Sequence, residues 1–125
     1  MKIILIFLMC LLSAMAYSQK PTELEWVISF RNNHIIFECS KGCNYSYLSF
    51  DSYRKVVLNE NTMVNLEKNP EEKEESNFLV QYSKIGNEIF LQGIKGVGWK
   101  NITLTKDLKS KYYINQAGEI RTKTL

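Results

Sequence analysis

Apolar and polar residues alternate along most of this 125-residue chain. From Glu25 to Arg31, Trp26, Ile28 and Phe30 fall on one side, and Val27, Ser29 and Arg31 on the other. A period of two is the signature of a β-strand with one face buried. The stretch 78–83 repeats it, with Phe78, Val80 and Tyr82 set against Leu79, Gln81 and Ser83. Further runs at 34–39, 45–51, 55–59, 87–92, 99–106 and 111–115 are rich in Ile, Val, Phe, Tyr and Thr, which suit a pleated, half-buried surface. Asn32-Asn33, Lys41-Gly42, Gly86-Asn87, Lys95-Gly96 and Gly118 separate the runs as turns. No long segment carries the 3.6-residue period of an amphipathic helix, so the pattern predicts an all-β chain.

The runs fall into two similar sets, 25–64 and 77–120. Trp26, Ile28 and Phe30 match Phe78, Val80 and Tyr82, and a one-residue loop difference then brings Ile36-Phe37 onto Ile89-Phe90. A second such difference aligns Lys41-Gly42 with Lys95-Gly96, Tyr45 with Trp99, Leu48 with Ile102 and Phe50 with Leu104. Farther on, Leu58-Asn59 matches Ile114-Asn115. A unit of roughly 40 residues is too small to bury a core alone. The expectation is therefore two diverged antiparallel meanders of four or five strands sharing one interior, as a sandwich or a barrel. Between them, residues 65–76 hold five glutamates and Pro70 and read as an acidic surface linker. Asn69 and Pro70 there could cap and open one helical turn.

The first 18 residues change the picture of where the chain goes. Lys2, the apolar run Ile3 to Leu12 and the small residues Ser13-Ala14 follow the layout of a secretory leader. The run is shorter than the ~20 residues that span a bilayer. Cleavage near Ser18 would leave a single domain, 19–125, secreted or periplasmic, with no membrane span. Removing Lys2 from the 16 basic residues leaves 15 against 13 acidic ones. From residue 76 onward, basic residues outnumber acidic ones by eight to three. They are spread over strand positions without a dense aromatic-interleaved patch, so no nucleic-acid partner is expected.

Loss of Cys10 with the leader leaves Cys39 and Cys43 in the segment CSKGC. In an oxidising compartment they can pair with each other. The reading is a disulfide across a three-residue hairpin loop, with Gly42 in a positive φ beside a bulge. A redox pair would want a C-x-x-C spacing at a helix N-terminus. A metal site would need more ligands than His34, the only histidine, could supply from the far end of its strand. The second set builds the same turn without sulfur.

Nothing in the chain assembles a catalytic constellation. His34 belongs to a turn, and Glu38, Asp51, Glu60, Glu88, Asp107 and Glu119 are scattered without a paired geometry. No phosphate-binding loop, dinucleotide fingerprint or metalloprotease motif occurs, so neither an enzyme nor a cofactor is expected. A binding surface is easier to argue. Tyr45, Tyr47 and Trp99 alternate with Leu48, Phe50, Ile102 and Leu104, beside Lys41, Lys95 and Lys100. If the aliphatic set is the core, these rings and lysines are a candidate surface for a protein or glycan partner; if the rings fill the interior, the aliphatic set faces a second layer. In Tyr112-Tyr113 one ring must face each side. An inhibitor acting through the CSKGC loop, or a thiol-disulfide protein using the same pair, are the other readings.

The leader ending in Tyr17-Ser18-Gln19 and the twice-used segment Lys-Gly, aromatic, aliphatic carry a resemblance. That segment runs from Lys41-Gly42 through Tyr45, Leu48 and Phe50, and again from Lys95-Gly96 through Trp99, Ile102 and Leu104. It resembles short exported proteins of Gram-negative bacteria. The resemblance implies export and a two-copy β-fold, and carries over no activity and no catalytic residue.

Overall fold

A computed structural model describes residues 22–125; the expected leader, 1–18, lies outside the described residues. The described chain forms ten strands and one short helix. In order these are β1 (Glu25–Arg31), β2 (His34–Lys41), β3 (Tyr47–Asp51), β4 (Val56–Leu58), β5 (Met63–Val64), α1 (Glu72–Glu75), β6 (Leu79–Ile85), β7 (Glu88–Lys95), β8 (Asn101–Thr105), β9 (Ser110–Asn115) and β10 (Ile120–Thr124). They pair as two five-stranded antiparallel sheets. Sheet A runs β10-β9-β1-β2-β3 and sheet B runs β5-β4-β6-β7-β8. Neither closes on itself, so the two meanders share their core as a sandwich and not as a barrel.

The two sets of strands repeat one plan and exchange their last hairpins. β1–β3 and β6–β8 are three-stranded meanders in separate sheets. The hairpin β4–β5 then crosses to pair with β6, while β9–β10 crosses the other way to pair with β1. Each sheet therefore holds three strands from one set and two from the other.

Register corrects the sequence alignment at its beginning. β1 and β6 both carry a bulge at their second residue, Glu25/Trp26 and Leu79/Val80. Glu25 and Leu79 face Lys41 and Lys95, while Arg31 and Ile85 face His34 and Glu88 across two-residue turns. From the first strand to Asp51 and Thr105 the copies thus match without an insertion. Trp26 corresponds to Val80, Phe37 to Leu91 and Leu24 to Phe78, whereas Lys41-Gly42 and everything after it match as read. Pairing ring with ring had slipped the first strand by two residues and the second by one.

The core is the set of inward faces. Trp26, Ile28, Phe37, Leu58, Phe78, Val80, Tyr82, Ile89, Leu91 and Ile114 are at most 2% exposed. Their rings cross the gap between sheets. Trp26 meets Phe37 and Phe78 edge-on at 5.0 and 5.6 Å between centroids. Tyr82 meets Phe50 edge-on at 5.1 Å, and Phe37 stacks on Phe50 at 5.7 Å. The Tyr82 hydroxyl would be costly to bury alone, and it donates to Ser52 O at 2.8 Å. Leu48, Phe50, Ile102 and Leu104 all face this interior, which settles which side of β3 and β8 is core.

Residues 65–76 form the loop between the two sets. Its helical turn begins at Glu72, with no side-chain cap, two residues later than Asn69-Pro70 suggests. Asn65 orders the separate turn before it, its Oδ1 accepting from Glu67 N and Lys68 N at 3.0 and 3.2 Å.

Candidate functional site

The residues singled out in the sequence cluster at one end of the sandwich but in two separate places. Thr22 links the halves of this end, with its N donating to Gly96 O at 2.7 Å and its Oγ1 to Asn77 O at 2.9 Å. On one side, Lys41 closes β2 and pairs with Glu23 at 3.4 Å and Glu25 at 3.8 Å. Tyr47 stands on the outer face of β3, 58% exposed. The equivalent side of the second copy holds Lys95, which donates to Glu74 O at 2.7 Å, Trp99 and the exposed Lys100. No ring pair joins Tyr45 or Tyr47 to Trp99 among the described residues.

Tyr45 and Trp99 are partly exposed rings that also pack inward. Both lie in the loop before their strand begins, at Tyr47 and Asn101, so strand alternation does not govern where they point. Each loop is stitched to the exchanged turn beside it: Asn44 N donates to Glu60 O at 2.6 Å, and Gly98 N to Gln116 O at 2.7 Å. Trp99 packs on the core, lies over Gly118 and donates its Nε1 to Asn115 O at 3.2 Å. Tyr45 is half-buried, and burial pushes its hydroxyl up to about 12, aided by the Glu60 carboxylate and opposed by the Trp26 indole N–H. That N–H and the hydroxyl lie close together but short of hydrogen-bond geometry. These rings close the end of the core.

Cys39 and Cys43 are bridged, with Cα atoms 6.1 Å apart. The bond does not span paired strand residues as expected. Cys39 N donates to Ser46 O at 3.0 Å, so Ser46 is its cross-strand neighbour, and the bridge runs from the end of β2 into the five residues between the strands. Gly42 takes φ +92. In the second copy Cys39 becomes Gly93 and Cys43 becomes Val97, and a Cβ on Gly93 would lie 2.6 Å from Val97 Cγ2. A valine side chain against a bare glycine fills the volume that sulfur fills in the first copy. Exchanging the cysteines for that pair, Cys39→Gly with Cys43→Val, should therefore preserve the fold. Thermal unfolding followed by circular dichroism should show a loss of about 2 kcal/mol, the loop-closure value for so short a ring.

A cleft lies on the outer face of sheet A, where the exchanged hairpin meets β1. It encloses about 560 Å³ and is lined by Glu25, Val27, Ser40, Tyr113, Asn115, Glu119 and Arg121, among others. Its floor follows from the pairing, since Arg121 faces Tyr113, Tyr113 faces Val27, Val27 faces Glu38 and Glu38 faces Tyr47. These residues form one row across all five strands. The Arg121 guanidinium lies 5.6 Å from the centre of the Tyr113 ring, a stacking distance for a cation over an aromatic face. Ser40 Oγ donates to Glu25 Oε2 at 3.0 Å on the rim. Tyr112 turns the other way, its ring against Phe30 and its hydroxyl donating to Thr105 O at 2.6 Å. Sequence reasoning named Tyr113 only as one of an adjacent pair with a ring on each side, and did not single out Arg121 or Glu25. The available signal was the parity of β9, which sets Tyr113 opposite the buried Ile114; the pairing of β9 with β1 was not readable.

The equivalent place on sheet B is a second cleft of about 510 Å³, with Val57, Val64 and Gln81 on its floor and Arg54, Lys55 and Glu67 among its lining. Where the first cleft has a ring and a guanidinium, the second has two valines. Among the described residues no group of three or more His, Cys, Asp and Glu is placed to hold a metal ion, and His34 is exposed at the β1–β2 turn. No family model, no curated protein and no solved structure matches the chain, so the cleft has only its own geometry to speak for it.

Proposed function

We propose that this is a non-catalytic binding domain of an exported protein, and that the cleft on sheet A receives a saccharide unit. The observation that carries the reading is the Tyr113 ring set in a floor of strand side chains, with donors and acceptors around it. A sugar presents an apolar face ringed by hydroxyls. Tyr113 and Val27 offer the matching apolar floor, while Glu25, Glu119, Asn115, Ser40 and Arg121 offer polar groups of both kinds at the rim. The floor belongs to paired strands and not to loops, which favours a preformed site. The Cys39–Cys43 segment supports this reading over a loop-inserting inhibitor, because Cys43 packs on the core and Gly42 lies against Glu23 and Leu24.

The test is a glycan array probed with residues 19–125, followed by titration calorimetry of whichever oligosaccharide is retained. Tyr113→Ala should weaken binding about tenfold or more, roughly 1.4 kcal/mol, with the thermal midpoint little changed. Tyr47→Ala, at the far end of the same row, should have a smaller effect. Retention of no glycan, or indifference to Tyr113→Ala, would remove the saccharide from the reading.

A further inference from the structure

We propose that the end of the sandwich opposite the cleft docks on an anionic lipid surface. Four connections meet at that end: the β1–β2 turn at Asn32-Asn33, the β6–β7 turn at Gly86-Asn87, the β3–β4 loop 52–55 and the β8–β9 loop 106–109. They are tied into one platform. Ser52 N donates to Asn33 O and Lys106 N to Asn87 O, each at 2.7 Å. Lys106 Nζ reaches across to Asn32 O at 3.0 Å, joining the two sheets.

Two features coincide on this platform. The first is apolar side chains held out into solvent, Tyr53 and Leu108 on loops and Ile85 at the last position of β6. Tyr53 is 69% exposed, Ile85 73% and Leu108 54%. The second is cationic charge. Arg31, Arg54, Lys55, Lys84, Lys106 and Lys109 lie on or beside the same four connections, and among the described residues none of them makes an ion pair within 4 Å. The carboxylates present, Asp51, Glu88 and Asp107, are engaged locally. They accept from Tyr53 N, Thr105 Oγ1 and Lys109 N respectively. Lys84 Nζ sits 4.1 Å from the centre of the Tyr53 ring, so that ring and charge are presented together.

Charge alone would suit any polyanion, and exposed apolar tips alone would suit a protein groove. The combination matches a bilayer interface, where cations meet lipid phosphates and the tips enter the boundary between headgroup and acyl chain. Tyrosine suits that boundary, having an apolar body and a polar end. The opposite end carries Glu23, Glu25, Glu60 and Glu119 together with the glutamates of α1, whereas Glu67 shares the sheet-B cleft with Arg54 and Lys55; the surplus of cations at the platform end still orients the molecule on an anionic surface. The cleft would then face away from the membrane. This inference does not depend on what the cleft binds.

The test is cosedimentation of residues 19–125 with phosphatidylcholine vesicles, either pure or containing about one-third phosphatidylglycerol. The chain should partition onto the anionic vesicles and not onto the neutral ones. Each Lys or Arg at a charged membrane surface is worth about a fivefold change in partitioning, so Arg54→Glu with Lys55→Glu should lower it at least about twentyfold. Lys95→Glu with Lys100→Glu, at the other end, should leave it within about twofold. Ile85→Ser with Leu108→Ser should also release the protein, and both tryptophans lie at the other end, so a Leu108→Trp variant reports insertion by a blue-shifted emission. Equal binding to both vesicle types would overturn the proposal. So would an unshifted Leu108→Trp emission, or loss on charge reversal with no effect of the two serines, since the platform would then read charge without lipid.

Discussion

Trp26→Ala should cost about 4 kcal/mol, the middle of the range for deleting a buried large aromatic side chain. Trp26 is 1% exposed and touches the core from three directions. Its ring meets Phe37 on the neighbouring strand and Phe78 at the entry to sheet B. Its backbone sits between β2 and the exchanged strand β9, facing Cys39 on one side and Ile114 on the other. Alanine would leave the largest void in the molecule where two sheets and both halves of the chain meet. Domains of this size hold only ~5–15 kcal/mol in total, so the variant should be partly unfolded at physiological temperature. Urea unfolding followed by circular dichroism, with Trp99 as the remaining fluorophore, measures the effect. Trp26→Phe keeps a ring and should cost less than half as much. A loss below 1 kcal/mol for alanine would mean that this ring does not hold the sheets together.

The second large effect is a matched pair of glycines. Gly96→Ala should cost about 2–3 kcal/mol, and Gly86→Ala about 1–2 kcal/mol. Both residues have positive φ, +79 and +61, and pay the same kind of backbone penalty in the alanine form. They differ in the space around them. A Cβ on Gly86 would meet nothing within 4 Å, whereas one on Gly96 would run into Asn77 O and lie 2.8 Å from Phe78 Cα. These are backbone atoms at the start of β6, so they cannot swing aside as a side-chain tip would. Thermal melts of the two variants isolate the close approach from the dihedral. Equal losses would show that the packing of this turn on β6 contributes nothing beyond its φ.

The strands were legible in the sequence because alternation records burial directly. Trp26, Ile28 and Phe30 share a face in both, and β1 has the limits its pattern predicts. Two short edge strands were weaker signals. β5 has only Met63 and Val64, and β10, Ile120–Thr124, is exposed along its whole length, so neither carries an alternation of burial. The exchange of hairpins left no local mark at all. Val57 pairing with Gln81, or Tyr113 with Val27, is a long-range choice that no window of sequence contains. That choice builds the cleft, which is why the candidate site shifted from Tyr45 and Trp99 to Tyr113 and Arg121. The loop rings misled for a related reason. Tyr45 and Trp99 precede their strands by two residues, and there the stitching to Glu60 and Gln116 decides their direction. Their lysine companions followed them: Lys41 and Lys95 are occupied by Glu23 and by Glu74 O.

The exchanged hairpins also determine how this chain must reach its native state. Glu25 and Asn115 are neighbours in the finished sheet, so sheet A stays incomplete until the last strands have been made. Sheet B likewise waits for β6 before β4 has a partner on its inner side. Neither half is a folding unit, and contacts this distant in sequence make assembly slow. Were the chain exported, as the proposed function has it, it would have to stay unlocked until β9 was through the channel.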